Sequence, residues 1–132
     1  MKKILIVEDE KVLADTLKEE FENAGFEVYT ASDGEEGLAV MRSKPERPDL
    51  VLLDLLMPRM NGFTFLEEVS KDIKNNLKAI PVIVLSNLGQ DEDLKRALTL
   101  GAIDYYVKVQ HPISEVIEKV KQHLEKEPSP KV

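Results

Sequence analysis

The chain has 132 residues, room for one compact domain. Its 18 basic and 25 acidic side chains give a formal charge of −7, which argues against direct nucleic-acid binding through a basic face. It has no cysteine, which excludes disulfides and thiolate metal sites, and its opening apolar run is too short for a signal peptide or a membrane span, so a soluble cytoplasmic protein without membrane association is expected.

Ile4-Leu5-Ile6-Val7 is apolar on both faces, the mark of a buried parallel strand. Leu13, Leu17, Phe21 and Ala24 follow at helical spacing, and Gly25 supplies a stop. A second strand is predicted over 27–31, ending at Ser32-Asp33-Gly34, and a second helix carries Leu38 and Met41 and closes before Pro45 and Pro48. Residues 50–53 form another fully apolar strand, terminated by Asp54. After a loop through Pro58 and Gly62, a third helix carries Phe63, Leu66, Val69 and Ile73. Pro81 opens a strand over 82–85 that ends at Ser86-Asn87. A fourth helix begins near Asp91, turns Leu94, Ala97 and Leu98 inward and stops at Gly101. The last strand covers 105–107, and the last helix carries Val116, Ile117, Val120 and Leu124.

The order is a strand and a helix, five times over. Such alternation predicts an α/β, doubly wound three-layer sandwich, with a parallel sheet, right-handed crossovers and helices on both faces. One domain is expected over 1–126, with 127–132, which hold Pro128 and Pro130, as a flexible tail or linker stub.

Ligands of an open parallel sheet bind beyond the carboxyl ends of its strands. The first strand delivers Glu8 and Asp9 there, the third Asp54, the fourth Ser86 and Asn87, and the fifth Lys108. Taken singly, an aspartate at a strand end is more often a cap or a turn residue, and a lysine a surface group. Their joint placement on one edge of the sheet is what that reading explains poorly. Three close carboxylates repel one another, and a hard divalent cation relieves the repulsion. Oxygen ligands without His or Cys favour Mg2+, with Mn2+ as an alternative. Mg2+ is commonly completed by phosphate oxygens, for which Lys108 and the Ser86 hydroxyl are suitable donors. Asp54 ends the central strand and is the best placed nucleophile for a mixed anhydride with a phosphoryl group.

This ordered set resembles the receiver domain of two-component response regulators, of the single-receiver kind found in chemotaxis regulators. The resemblance spans 2–125 and rests on Ile4-Leu5-Ile6-Val7-Glu8-Asp9-Glu10, on the run from Asp54-Leu55-Leu56-Met57-Pro58 to Asn61-Gly62, on Val84-Leu85-Ser86-Asn87, and on Gly101-Ala102-Ile103-Asp104-Tyr105-Tyr106-Val107-Lys108. It implies a flavodoxin-like fold with strand order 2-1-3-4-5. It also implies a phosphorylation-activated switch in a phosphorelay, not an enzyme acting on an outside substrate, that catalyses only its own phosphorylation and dephosphorylation. Asp54 is then the phosphoacceptor. Asp9 and Asp54 are direct metal ligands, Glu8 acts through water, and the Leu56 backbone carbonyl completes the protein's share. Ser86 and Lys108 bind the phosphoryl group. Ser86 and Tyr105 are the switch pair, Ser86 moving toward the phosphate and Tyr105 turning inward. The implied donor is a sensor histidine kinase or a histidine phosphotransfer protein. The implied output is a protein partner bound by the face that 91–100, 104–107 and 113–124 make together, with the protein a monomer or a phosphorylation-dependent dimer.

Three features depart from the family pattern. Val109 follows Lys108 where the family often has proline after a cis bond; a non-proline cis bond costs about 3–4 kcal/mol, so this loop is either trans or strained to hold the lysine. Asn87 is larger than the usual neighbour of Ser86, and it either narrows access to the phosphoryl group or hydrogen-bonds it. Residues 72–79 lengthen the third helix and its connection. The main rival is an aspartate-nucleophile phosphatase of the haloacid dehalogenase type, whose second acid two places on is replaced here by Leu56. Neither His111 nor His123 falls at a strand end near the acids, so a phosphodonor on another protein is expected. The chain suits either a stand-alone receiver or one cut from a longer regulator.

Overall fold

Strands and helices alternate along the chain in a computed structural model that describes residues 1–43, 45, 47–57 and 59–125. The strands are β1 (Lys3–Val7), β2 (Glu27–Ala31), β3 (Leu50–Leu53), β4 (Val82–Ser86) and β5 (Asp104–Val107). The helices are α1 (Lys11–Asn23), α2 (Gly34–Arg42), α3 (Gly62–Lys71), α4 (Asp91–Thr99) and α5 (Ile113–Glu125), with short 3-10 turns at Leu77–Ala79 and Lys108–Gln110. The expected tail, 127–132, lies outside the described residues, as does Pro58 of the expected loop.

All neighbouring strands pair in parallel, in the order β2-β1-β3-β4-β5, as expected. Successive side chains of a strand point to opposite faces. Ile4 and Ile6, Leu50 and Leu52, and Ile83 and Leu85 therefore share one face with Leu17 and Phe21 of α1 and Val116, Val120 and Leu124 of α5. Leu5 and Val7, Val51 and Leu53, and Val82 and Val84 share the other with Leu38 of α2, Phe65 and Leu66 of α3 and Ala97 of α4. This double burial is why the strands read as unbroken apolar runs. Each fully buried large side chain stabilises the fold by about 1.5–3 kcal/mol relative to exposure.

The register matters for function. Val7 lies beside Ala31 and Leu53, Leu53 beside Val84, and Ser86 beside Val107. The residues that follow these positions consequently meet along a single edge.

Gly25 and Gly101 take positive φ of 100° and 116° just after α1 and α4, and are the expected stops. Gly62 starts α3 so close to the loop before it that a Cβ would sit 2.6 Å from Leu55 Cα. Three expectations fail. Ile73 is 84% exposed, because α3 ends at Lys71 and the chain turns at Asp72 before helical spacing carries Ile73 inward. Leu94 and Leu98 are also on the surface, at 36% and 43% exposure. Only Ala97 of α4 is fully buried, so the inward stripe of this helix is one residue wide.

Candidate functional site

The edge formed by the strand ends brings together Glu8, Asp9 and Asp54, with one carboxylate oxygen of each within 4.8 Å of the others. Glu8 and Asp54 are buried and Asp9 is exposed, so the cluster opens to solvent on one side. Backbone bonds fix the first two: Glu8 N–H donates to Ala31 O at 2.9 Å, and Asp54 N–H to Val7 O at 3.0 Å. Asp54 Oδ1 accepts from Leu56 N–H at 3.2 Å, and Glu8 Oε2 from Glu10 N–H at 3.1 Å.

Lys108 crosses from the end of β5 to both buried acids. Its Nζ donates to Glu8 Oε1 at 2.8 Å and to Asp54 Oδ2 at 3.3 Å. Burial alone would lower its pKa, but the two carboxylates outweigh burial and hold the ammonium above the ordinary lysine value. Burial pushes the Glu8 carboxyl up and the Asp54 charge adds to it, while Lys108 pulls it down; the net displacement is upward. One ammonium cannot satisfy three carboxylates, and two negative charges stay uncompensated when all are ionised. An all-oxygen donor set with that deficit fits a hard divalent cation. No peptide bond among the described residues is cis, so Lys108–Val109 is trans, and Lys108 reaches the acids from a 3-10 turn.

Ser86 is fully buried and Asn87 is exposed. Leu88, which sequence reasoning did not single out, joins Ser86 and Tyr105, the pair expected to form the switch. Its N–H donates to Ser86 Oγ at 3.4 Å, and its carbonyl accepts from the Tyr105 hydroxyl. Tyr105 already lies inward, 9% exposed, among the side chains that cover the α2–α3–α4 face. Burial first, then the charges of Asp93 and Asp54, push its hydroxyl up to about 12.

A second feature went unread. Asp33 caps α2 by accepting from Glu36 N–H at 2.9 Å, and Glu36 Oε1 accepts from Ser32 N–H, one residue before the cap, at 2.6 Å. The Asp33 and Glu36 pair is a legible capping signal. Its long-range partner is not: Arg59, in the loop after Asp54 with φ of 65°, forms an ion pair with Asp33. That pair and the packing of Gly34 on Met60 tie the turn before α2 to the loop beyond Asp54. The histidines sit elsewhere, His111 on Glu115 and His123 on Asp104, each at 2.9 Å.

Residues 4–121 match the response regulator receiver domain. The chain belongs to this family. It is 37% identical over 123 residues to the alkaline phosphatase synthesis transcriptional regulatory protein PhoP of Bacillus subtilis (strain 168), covering 93% of this chain and 48% of that protein. This receiver chain spans about half the length of the curated relatives it matches first. Among solved structures, the Francisella response regulator 1452 receiver domain superposes with a TM-score of 0.84 at 30% identity, covering 97% of this chain and all of that one. The Mn(2+)-bound form of response regulator Rcp1 gives 0.81 at 27% identity, covering 99% and 100%.

Proposed function

We propose that Asp54 accepts a phosphoryl group from a phosphohistidine on a separate protein, and that the resulting acyl phosphate resets the surface made by α4, β5 and α5. The observation that carries this reading is Lys108, whose single ammonium lies between Glu8 and Asp54 at the edge of the sheet. A half-buried lysine on two buried acids is costly for a purely structural purpose. As a site for an incoming anion it is already organised, because phosphoryl transfer depends mainly on alignment and charge neutralisation.

An Asp54 carboxylate oxygen attacks phosphorus, the phosphorus–nitrogen bond of the donor breaks, and the departing imidazole takes up a proton. Glu8, Asp9, Asp54 and the Leu56 carbonyl would hold Mg2+ or Mn2+. That ion supplies charge neutralisation for the phosphoryl oxygens. Lys108 and the Ser86 hydroxyl donate to the transferred group, and Asn87, exposed next to Ser86, is a further donor for it. The shared hold of Ser86 and Tyr105 on Leu88 is a direct mechanical link, since a shift of the serine toward a phosphate moves the backbone to which Tyr105 is bonded. Tyr105 is inward in this structure, so phosphorylation resets the surface by shifting the population toward this arrangement and away from one with Tyr105 outward.

Dephosphorylation by water at the same site makes the domain a self-resetting switch, with the donor a sensor histidine kinase or phosphotransfer protein, in the cytoplasm. Its output is a protein partner, a second copy or a joined domain. The phosphatase alternative has no support: the chain matches the receiver family over nearly its whole length, and Leu56 stands where that chemistry needs an acid. Acetyl phosphate with Mg2+ should add one phosphoryl group, and Asp54→Asn should abolish the addition. Full labelling of that variant, or labelling indifferent to chelation of divalent metal, would overturn the mechanism.

A further inference from the structure

Opposite the acid edge, where β4 begins and α3 and α4 end, the molecule has a cleft of about 310 Å3 floored by Leu66, Val69, Ile80, Val82 and Leu100. That volume is at the low end for a ligand pocket (about 300–1,000 Å3) and suits one or two side chains. Ser70 and Lys78 line it, and the lengthened segment between them carries Lys71, Lys74 and Ile73. All four of Lys71, Ile73, Lys74 and Lys78 are exposed. The one acid of this segment, Asp72, is held by Arg42 at 2.7 Å and by Asn75. None of the three lysines has an ion-pair partner among the described residues. On a chain of net charge −7, this short segment concentrates three free positive charges, of which Lys78 lines the apolar floor and Lys71 follows the lining Ser70.

We infer that this cleft binds an acidic peptide segment of a partner protein, with an apolar anchor in the α3–α4 cleft and carboxylates on Lys71, Lys74 and Lys78. Charge complementarity selects an anion. Both helices present the negative ends of their dipoles here, so an anionic ligand depends on the lysines to approach. The apolar floor and exposed Ile73 select a peptide over a nucleic acid, whose phosphate backbone offers such groups nothing to bury. Three lysines fall short of the polybasic cluster, about four to eight residues, that holds a protein to an anionic membrane. The site lies at the other pole of the sheet from Asp54, so a partner docks there while the acid edge is free for a phosphodonor.

The test uses the full chain, isotope-labelled for NMR, and a fluorescein-labelled peptide of Glu and Asp residues flanking a Leu-Phe pair. The expected result is saturable binding, with amide shifts at Val69, Lys78, Leu100 and Gly101 and none at Glu8, Asp54 or Ser86. The combined variant Lys71→Glu, Lys74→Glu, Lys78→Glu should weaken binding by about tenfold or more, with its circular dichroism unchanged. Lys→Gln at the same positions should give a smaller loss in the same direction. Equal binding of a peptide with Ser-Ser in place of Leu-Phe would overturn the proposal, as would shifts confined to other surfaces or no binding. Tighter binding of duplex DNA or phosphatidylglycerol vesicles than of the peptide would also overturn it.

Discussion

Lys108→Met isolates the electrostatic core of the site, because it keeps the buried stem and removes only the charge. The side chain is 15% exposed, and its ammonium lies 2.8 Å from Glu8 and 3.3 Å from Asp54. At an effective dielectric of about 20, the two gross attractions are about 6 and 5 kcal/mol. Desolvation of three ions offsets most of that gain, so the pair adds little net stability. Removing one partner is different: it leaves two buried carboxylates facing each other, a loss of about 3–5 kcal/mol. For a domain of this size each kcal/mol moves the melting temperature by about 3–5 °C, so a drop of roughly 9–25 °C is expected in EDTA at neutral pH. The drop should shrink as pH falls through the raised Glu8 value, because Glu8 takes up a proton and ends the repulsion. Mg2+ should restore part of the loss at neutral pH. Thermal melts across pH, with EDTA or with Mg2+, read all of this. An unchanged melting temperature, or a drop of equal size at acid and neutral pH and indifferent to Mg2+, would refute the reasoning.

Glu8→Gln should act in the opposite direction on the metal-free protein. The raised carboxyl gives stability that is present below the ordinary glutamate value and lost as pH rises through its own, so removing the charge should stabilise by on the order of 1 kcal/mol at neutral pH in EDTA. The same variant should weaken Mg2+ binding by at least about tenfold in a fluorescence or calorimetric titration. Tyr105→Phe should cost about 1 kcal/mol through its lost bond to Leu88. It should also remove an alkaline component of stability that is present below the ordinary tyrosine value of 10.0 and lost as pH rises through about 12. Asp72 sits at about 2, held there by Asn75 and then Arg42, so its contribution is present above 3.8 and lost as pH falls through about 2. Acid melts of Asp72→Asn should lack that component.

Much of the fold was legible because each strand of a doubly covered parallel sheet is an apolar run, and each helix shows its own period. The gathering of the candidate residues on one edge was legible for a related reason. In such a sheet the residue after each run is delivered to one edge, so Glu8, Asp9, Asp54, Ser86 and Lys108 could be assembled without knowing any distance. Spacing could not say how wide a buried stripe is. Leu94 and Leu98 share helical spacing with Ala97, yet α4 at the margin of the sheet buries only the alanine fully. Nor could it locate the turn at Asp72 that leaves Ile73 in solvent, since that turn rests on a local bond from Asn75 together with Arg42, which comes from α2. The Asp33–Arg59 pair joins residues from two loops, and Leu88 acts through its backbone, which carries no sequence signature.

The most direct test of the account is to locate the phosphoryl group. After reaction with acetyl phosphate and Mg2+, borohydride reduction converts an aspartyl phosphate to homoserine, which tandem mass spectrometry can place in the chain. Homoserine at position 54 and nowhere else is expected. Homoserine at Asp9 or another acid, or a retained phosphate that borohydride leaves untouched, would contradict the assignment of Asp54.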